Sequence, residues 1–132
     1  MQSVANTNTT IITNIDIEAE VIHGKKIGRA LGFPTANMSM AGYESVERGV
    51  YLSRVVIDGH SYRAMSNVGI RPSVGGKELL LETHVLDFTG DLYGRRLRIT
   101  LVEKIRDEKR FSSVGDLRDQ LIRDYNQIKD AR

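Results

Sequence analysis

A chain of 132 residues, 40% hydrophobic and 27% charged, is sized for one domain around one modest core, and this composition argues against a disordered or membrane-embedded protein. Nineteen basic and seventeen acidic side chains leave a net charge of +2, too small an excess for a chain whose main work is gripping phosphate backbones. The absence of cysteine excludes disulfide scaffolds, thiolate zinc sites and cysteine nucleophiles, and no apolar run approaches the roughly 20 residues that span a bilayer.

Residues 1–14 are polar, rich in Asn and Thr, and carry no basic stretch followed by an apolar one. They read as a flexible arm or linker remnant rather than a leader, with the cytoplasm as the default location. From Ile15 the pattern changes: Ile15, Ile17, Ala19 and Val21 alternate with Asp16, Glu18 and Glu20, which predicts a half-buried strand. After a glycine-rich stretch, Val50 to Ile57 is β-branched and apolar and ends at Asp58-Gly59, a hairpin signal that should return the chain antiparallel through Ser61 to Asn67. A fourth strand is expected over Glu78 to Asp87 and a fifth over Arg96 to Ile105, joined by the turn-rich connector Phe88 to Gly94.

The period then switches from two to about 3.6. Leu117, Leu121, Ile122, Tyr125 and Ile128 fall on one helical face, with Ser113 and Asp116 spaced as a capping box. Short strands followed by one terminal helix predict a mainly β fold, a closed or nearly closed antiparallel barrel with the helix packed on it. Closure removes the unpaired edges that short strands would otherwise expose. No internal repeat or second domain boundary is visible, so residues 15–132 form a single domain.

Two places stand out chemically. His23-Gly-Lys-Lys-Ile-Gly-Arg-Ala-Leu-Gly-Phe-Pro-Thr-Ala-Asn37 packs glycines that permit close backbone approach beside Lys25, Lys26 and Arg29. Backbone N–H groups of such a loop can converge on an anion. Thr35 and Asn37 are two residues apart and share one side of an extended backbone, offering neutral oxygens of the kind that suit Mg2+. A solvated connection explains the same loop, whose spacing is neither a Walker loop nor a dinucleotide fingerprint.

The second place is Glu82 in Leu79-Leu-Leu-Glu-Thr-His-Val-Leu86. Alternation puts Leu80, Glu82, His84 and Leu86 on one face and Leu79, Leu81, Thr83 and Val85 on the other. A carboxylate among apolar neighbours is paired, solvated or functional, and burial would make it a better proton acceptor. A plain solvent-facing side accounts for it equally. His23, His60 and His84 make no recognisable metal spacing and read as structural or surface residues. In Arg106-Asp-Glu-Lys-Arg-Phe111, Phe111 suits either cover for a planar ring or a hydrophobic staple at the helix start.

These segments, in this order, resemble the riboflavin kinase family, especially the kinase module of bacterial bifunctional FAD synthetases. The landmarks are His23-Gly24, Gly28-Arg29, Leu31 to Asn37, Gly49-Val-Tyr51, Asn67-Val-Gly-Ile-Arg-Pro72, Leu81 to Phe88, Asp91-Leu-Tyr-Gly94 and the Arg106, Glu108 and Phe111 run. The resemblance implies a six-stranded antiparallel Greek-key β-barrel with a C-terminal α-helix. It also implies transfer of the ATP γ-phosphoryl group to the ribityl 5′-hydroxyl of riboflavin, giving FMN and ADP.

Carried over by position, Thr35 and Asn37 would ligate Mg2+ beside the nucleotide phosphates, and Gly24, Gly28 and Arg29 would line a phosphate flap. Val85, Asp87 and Tyr93 would lie by the nucleotide, Glu82 would be the catalytic carboxylate, and Arg106, Lys109 and Phe111 would lie near the flavin. The flap departs from many relatives in reading Gly24-Lys-Lys-Ile-Gly28 without a further internal glycine. No adenylyltransferase module precedes the kinase segment, so the chain is expected not to convert FMN to FAD; a single-function kinase and a fragment of a longer protein both fit.

The rival readings are a non-catalytic barrel that binds flavin or nucleotide, and a nucleic-acid barrel of the OB type. The second would want interleaved aromatics and a basic groove, and only 6% of the residues are aromatic. Expected partners are therefore riboflavin or FMN and ATP or ADP, with no nucleic acid and no membrane.

Overall fold

The structure, a computed structural model, describes residues 12–23 and 35–129. Six strands close into a barrel: β1 (Ile12–Ile22), β2 (Thr35–Ser39), β3 (Gly49–Ile57), β4 (His60–Ser73), β5 (Gly76–Val85) and β6 (Arg96–Arg106). One helix follows, α1 (Val114–Ile128), the only one among the described residues. The order around the wall is β1-β2-β5-β4-β3-β6, with every neighbouring pair antiparallel. Strands β3, β4 and β5 form a meander and β6 returns beside β3, which is the Greek-key order.

Alternation decides the inside. Ile17 and Val21 of β1, Tyr51, Val55 and Ile57 of β3, Leu81 and Val85 of β5, and Leu97, Ile99 and Leu101 of β6 fill the barrel and are essentially inaccessible. Three buried hydroxyls share that interior and satisfy one another, Ser53 Oγ to Ser66 Oγ at 2.7 Å and Ser66 Oγ to Thr83 Oγ1 at 2.8 Å. The hairpin at Asp58-Gly59 forms as expected: φ is +52° and +84°, the pair of positive values a two-residue type I′ turn requires.

Strand boundaries depart from the sequence expectation at β1, β2 and β4, the last running on to Ser73, past the expected end at Asn67. β1 begins at Ile12, so residues 12–14 of the expected arm are in the sheet: Ile12 pairs with Glu103 and the Thr13 hydroxyl donates to the Leu101 carbonyl. Asn14 takes a φ of +48° where the register slips, and this bulge breaks the alternation that marks a strand. The short strand β2 is also absent from the five-strand pattern, because Thr35-Ala-Asn-Met-Ser39 has a single large apolar side chain. It is nonetheless buried at Ala36, Asn37 and Met38, being clamped between β1 and β5.

The helix packs on the outer wall. Leu121 and Ile128, with Leu117 and Tyr125 beside them, meet Leu52, Met65 and Leu86 in a second apolar cluster. Burying each aliphatic side chain in such a cluster contributes about 1.5–3 kcal/mol. The Ser113 hydroxyl accepts from the Asp116 backbone N–H at 3.1 Å and so caps the helix, while the Arg63 guanidinium donates to the Lys129 carbonyl at its far end. Ile122 does not face the barrel; it is exposed, and Gln120 and Asp124 are buried in the stripe instead. The apolar stripe alone could not place them, since their burial is made possible by partners on other segments.

Candidate active site

Strand β5 runs between β2 and β4, so its outward residues from Leu80 to His84 have a ladder partner on both sides. Glu82 faces Asn37 on β2 and Asn67 on β4; His84 faces Thr35 and Met65. Leu81, Thr83 and Val85 point inward and are fully buried, which fixes Glu82 and His84 on the outer wall. That wall is not open solvent, because α1 and the connection leading into it stand over it.

Between wall and helix lies a cavity of about 680 Å³, within the range of small-molecule sites. It is lined by Asn37, Asn67, Arg71, Glu82 and His84 from the wall, by His23 at the end of β1, by Arg106 at the end of β6, by Lys109 and Phe111 from the β6–α1 connection, and by Leu117, Leu121 and Asp124 from the helix. Apolar side chains of Ile22, Val50, Met65 and Leu80 accompany the polar groups on the barrel side, and the helix side sets leucines and Phe111 beside Lys109 and Asp124.

The charged groups are ordered by specific bonds. Arg106 grips Asp124 with two bonds, Nε to Oδ1 at 3.0 Å and Nη2 to Oδ2 at 2.7 Å, and its remaining nitrogen donates to the Asp107 carbonyl. Asp124 is 1% exposed and also accepts from Gln120 Nε2, so this carboxylate is fully compensated where it is buried. Lys109 Nζ reaches Gln120 Oε1 at 3.4 Å. On the wall, Arg71 Nη1 donates to Glu108 at 2.9 Å while its Nη2 stands 3.8 Å from Glu82 Oε1. The Glu82 side chain keeps 23% of its surface exposed, enough for a ligand to reach it.

His84 is buried, and burial holds its imidazole below the usual histidine range despite the opposing pull of Glu82 and Asp124. Its Nδ1 lies 3.3 Å from Thr35 Oγ1. Asn67 carries a buried Oδ1 with no hydrogen-bond partner among the described residues, beside Glu82. A buried acceptor without a donor is costly, and at a cavity wall it marks a place where a ligand or water completes the structure.

The structure thus brings Asn37, Glu82, Arg106, Lys109 and Phe111 to one cavity. Thr35 lies one ladder step along, bonded to His84. Val85 has its side chain in the barrel core, leaving only its backbone for any ligand. Asp87 is exposed at a φ of +61° just past β5, and the half-exposed Tyr93 stacks on His23 with ring centroids 3.6 Å apart. Gly24, Gly28 and Arg29 lie outside the described residues.

Sequence reasoning gave no site role to Asn67 and Arg71, though both lie in a landmark segment of the resemblance, nor to Asp124, and it did not foresee the burial of His84 beneath the helix side. Asn67, Gly69 and Arg71 alternate along β4 and share a face, a signal present in the sequence but silent about which wall it decorates.

A closed Greek-key barrel with a ligand-sized cavity between its outer wall and a terminal helix, lined by three carboxylates, two amides and several cations, defines a small-molecule-binding barrel. The chain belongs to the riboflavin kinase family: the family model described as Flavokinase, riboflavin kinase, matches residues 12–132. The chain is 46% identical over 103 residues to a bifunctional riboflavin kinase/FMN adenylyltransferase of Pseudomonas fluorescens, covering 77% of this chain and 33% of that protein. It is 42% identical over 109 residues to the protein of the same name from Escherichia coli K12, covering 82% of this chain and 35% of that one.

The chain therefore spans about a third of the length of these curated relatives. Among solved structures, one described as a macrolide-efflux protein from Streptococcus pneumoniae superposes with a TM-score of 0.76 at 32% identity, over 91% of this chain and 40% of that one. A riboflavin kinase from Trypanosoma brucei superposes with a TM-score of 0.59 at 24% identity, over 87% of this chain and 77% of that one, and shows the shared fold. No helix among the described residues is long and apolar enough to cross a membrane.

Proposed function

We propose that this chain transfers the γ-phosphoryl group of ATP to the ribityl 5′-hydroxyl of riboflavin, giving FMN and ADP in the cytoplasm. The observation that carries the reading is the ladder pairing of Asn37 with Glu82 at the wall of the cavity. It sets a neutral metal-type oxygen beside a partly exposed carboxylate, the two functions a phosphoryl transfer to an alcohol needs at one point.

In the transfer, the hydroxyl oxygen bonds to the γ-phosphorus as the bond from that phosphorus to the bridging oxygen breaks, and the hydroxyl proton goes to the Glu82 carboxylate. Glu82 orients the hydroxyl first and accepts its proton late, so it need not be a strong base. Phe111 and the helix leucines offer an apolar surface to the flavin ring, with Lys109 at the rim. Arg106 acts differently: each of its three nitrogens already donates once, two to Asp124 and one to the Asp107 carbonyl, so it fixes the connection to the helix while two N–H groups remain.

The residues suit Mg2+. Among the described residues no group of three acidic or histidine side chains could cage a metal. Thr35 and Asn37 instead supply neutral oxygens, the sparse donor set Mg2+ takes when water and phosphate oxygens complete its shell. The Thr35 hydroxyl also lies 3.3 Å from His84 Nδ1, within hydrogen-bond reach. Bound there, Mg2+ would neutralise charge on the phosphates.

The test is to incubate the chain with riboflavin and MgATP and assay FMN. FMN formation is expected. Flavin binding without FMN would turn the reading into a non-catalytic binding barrel, and absence of binding to either substrate would remove the kinase reading. The second activity in the relatives' names, FMN adenylylation, is not assigned to the kinase segment.

A further inference from the structure

Arg71 is placed oddly for a cation beside a proposed base. A guanidinium that paired fully with Glu82 would take two parallel N–H···O bonds and occupy the oxygens that must receive the hydroxyl. Arg71 does not do this. Its Nη2 stops 3.8 Å from Glu82 Oε1, beyond hydrogen-bond reach, while its Nη1 is committed to Glu108 Oε2 at 2.9 Å and to the Ile70 carbonyl at 3.0 Å.

Glu108 comes from the β6–α1 connection, and the fold makes specific room for it. A Cβ on Gly69 would stand 2.1 Å from Glu108 Oε2 and 2.5 Å from Arg71 Nη1, so the ion pair lies directly on a glycine backbone. Gly69 is extended mid-strand, paired with Leu80, and serves no turn. Its missing side chain is what admits the Glu108 carboxylate.

We propose that Glu108 is a positioning residue for the transfer: it holds the Arg71 guanidinium off Glu82, leaving that carboxylate to receive the hydroxyl. The proposal rests on the reading of Glu82 as proton acceptor. Its consequence is that the connection carrying Lys109 and Phe111 must be seated before the base is available, which ties the helix side of the cavity to the chemistry on its barrel wall.

The test compares Glu108→Gln, Arg71→Met, the double variant and Glu82→Gln by steady-state kinetics, with a crystal structure of ligand-free Glu108→Gln. In Glu108→Gln, kcat should fall by about tenfold or more with KM for both substrates nearly unchanged. The double variant should recover to the level of Arg71→Met, and the crystal structure should show Arg71 bonded to both Glu82 oxygens. Wild-type kcat in Glu108→Gln, or a loss that persists equally in the double variant, would overturn the proposal. If Glu108→Gln folds poorly, Glu108→Ala removes the carboxylate instead and should give the same kcat loss with the same rescue by Arg71→Met; no loss, or no rescue, overturns the proposal there too. Full turnover in Glu82→Gln would sink the base reading and this inference together, whereas an inactive Glu82→Gln beside an unaffected Glu108→Gln sinks this inference alone.

Discussion

Asn37 and Glu82 are direct ladder partners across β2 and β5, each turned to the outer wall of the barrel, so an amide and a carboxylate from distant parts of the chain meet at one point of the cavity. Neither is held by local sequence. Their proximity is a property of barrel closure, and it yields separable predictions for each residue.

Glu82→Gln keeps shape and hydrogen-bonding reach but removes the proposed proton acceptor. Binding of riboflavin and of nucleotide should survive, measured by calorimetry, while FMN formation falls by about 10²–10⁴-fold. Turnover like the wild type would remove Glu82 from the mechanism.

Asn37→Ala removes one neutral oxygen from the proposed cation site and leaves the carboxylate. The Mg2+ concentration for half-maximal turnover should rise about tenfold, the scale for losing one group from a metal site. Calorimetric binding of Mg·ADP should weaken in parallel. An unchanged Mg2+ titration would count against Asn37 as a ligand.

Asp124 and Arg106 form the most deeply buried ion pair described, with side chains 2% and 16% exposed. Asp124→Ala leaves the guanidinium unpaired beneath the helix and should lower stability by about 3–5 kcal/mol in urea unfolding. Arg106→Met with Asp124→Leu should recover much of that loss, since apolar replacement of both partners removes the desolvation penalty. A single variant as stable as wild type would show that the pair does not anchor the helix.

His84 sets an acid limit on the fold. Burial lowers its pKa in the folded state, so the unfolded chain gains a proton near the ordinary value of 6.5 while the folded chain stays neutral. Stability is therefore whole above that value and declines as pH falls from it towards the folded pKa. Urea midpoints at about pH 7.5 and about pH 5.5 should separate more for wild type than for His84→Asn. An equal separation would show that another group carries the acid sensitivity.

Much of the barrel is legible before folding. Alternation in Ile15 to Val21 and Arg96 to Ile105 marks strands because one face of each must be buried, the β-branched apolar run Val50 to Ile57 marks another, and Asp58-Gly59 marks its hairpin because both central positions need positive φ. Leu117, Leu121 and Ile128 mark the helix by the same logic at a different period. Glu82 is visible as an anomaly, a charge on a strand otherwise rich in leucine.

Tertiary structure decided the rest. Strand order made Thr35 to Ser39 a strand, since only β1 and β5 on either side bury so small a segment. Closure also set Asn37 and Asn67 on either side of Glu82, placed Asp124 under Arg106, and laid Glu108 on Gly69. The physical reason is one of range. Periodicity and turn chemistry act between near neighbours, so the sequence by itself determined which faces would be buried. A cavity is made where outward faces of non-consecutive strands meet a helix, and that juxtaposition exists only once the barrel has closed.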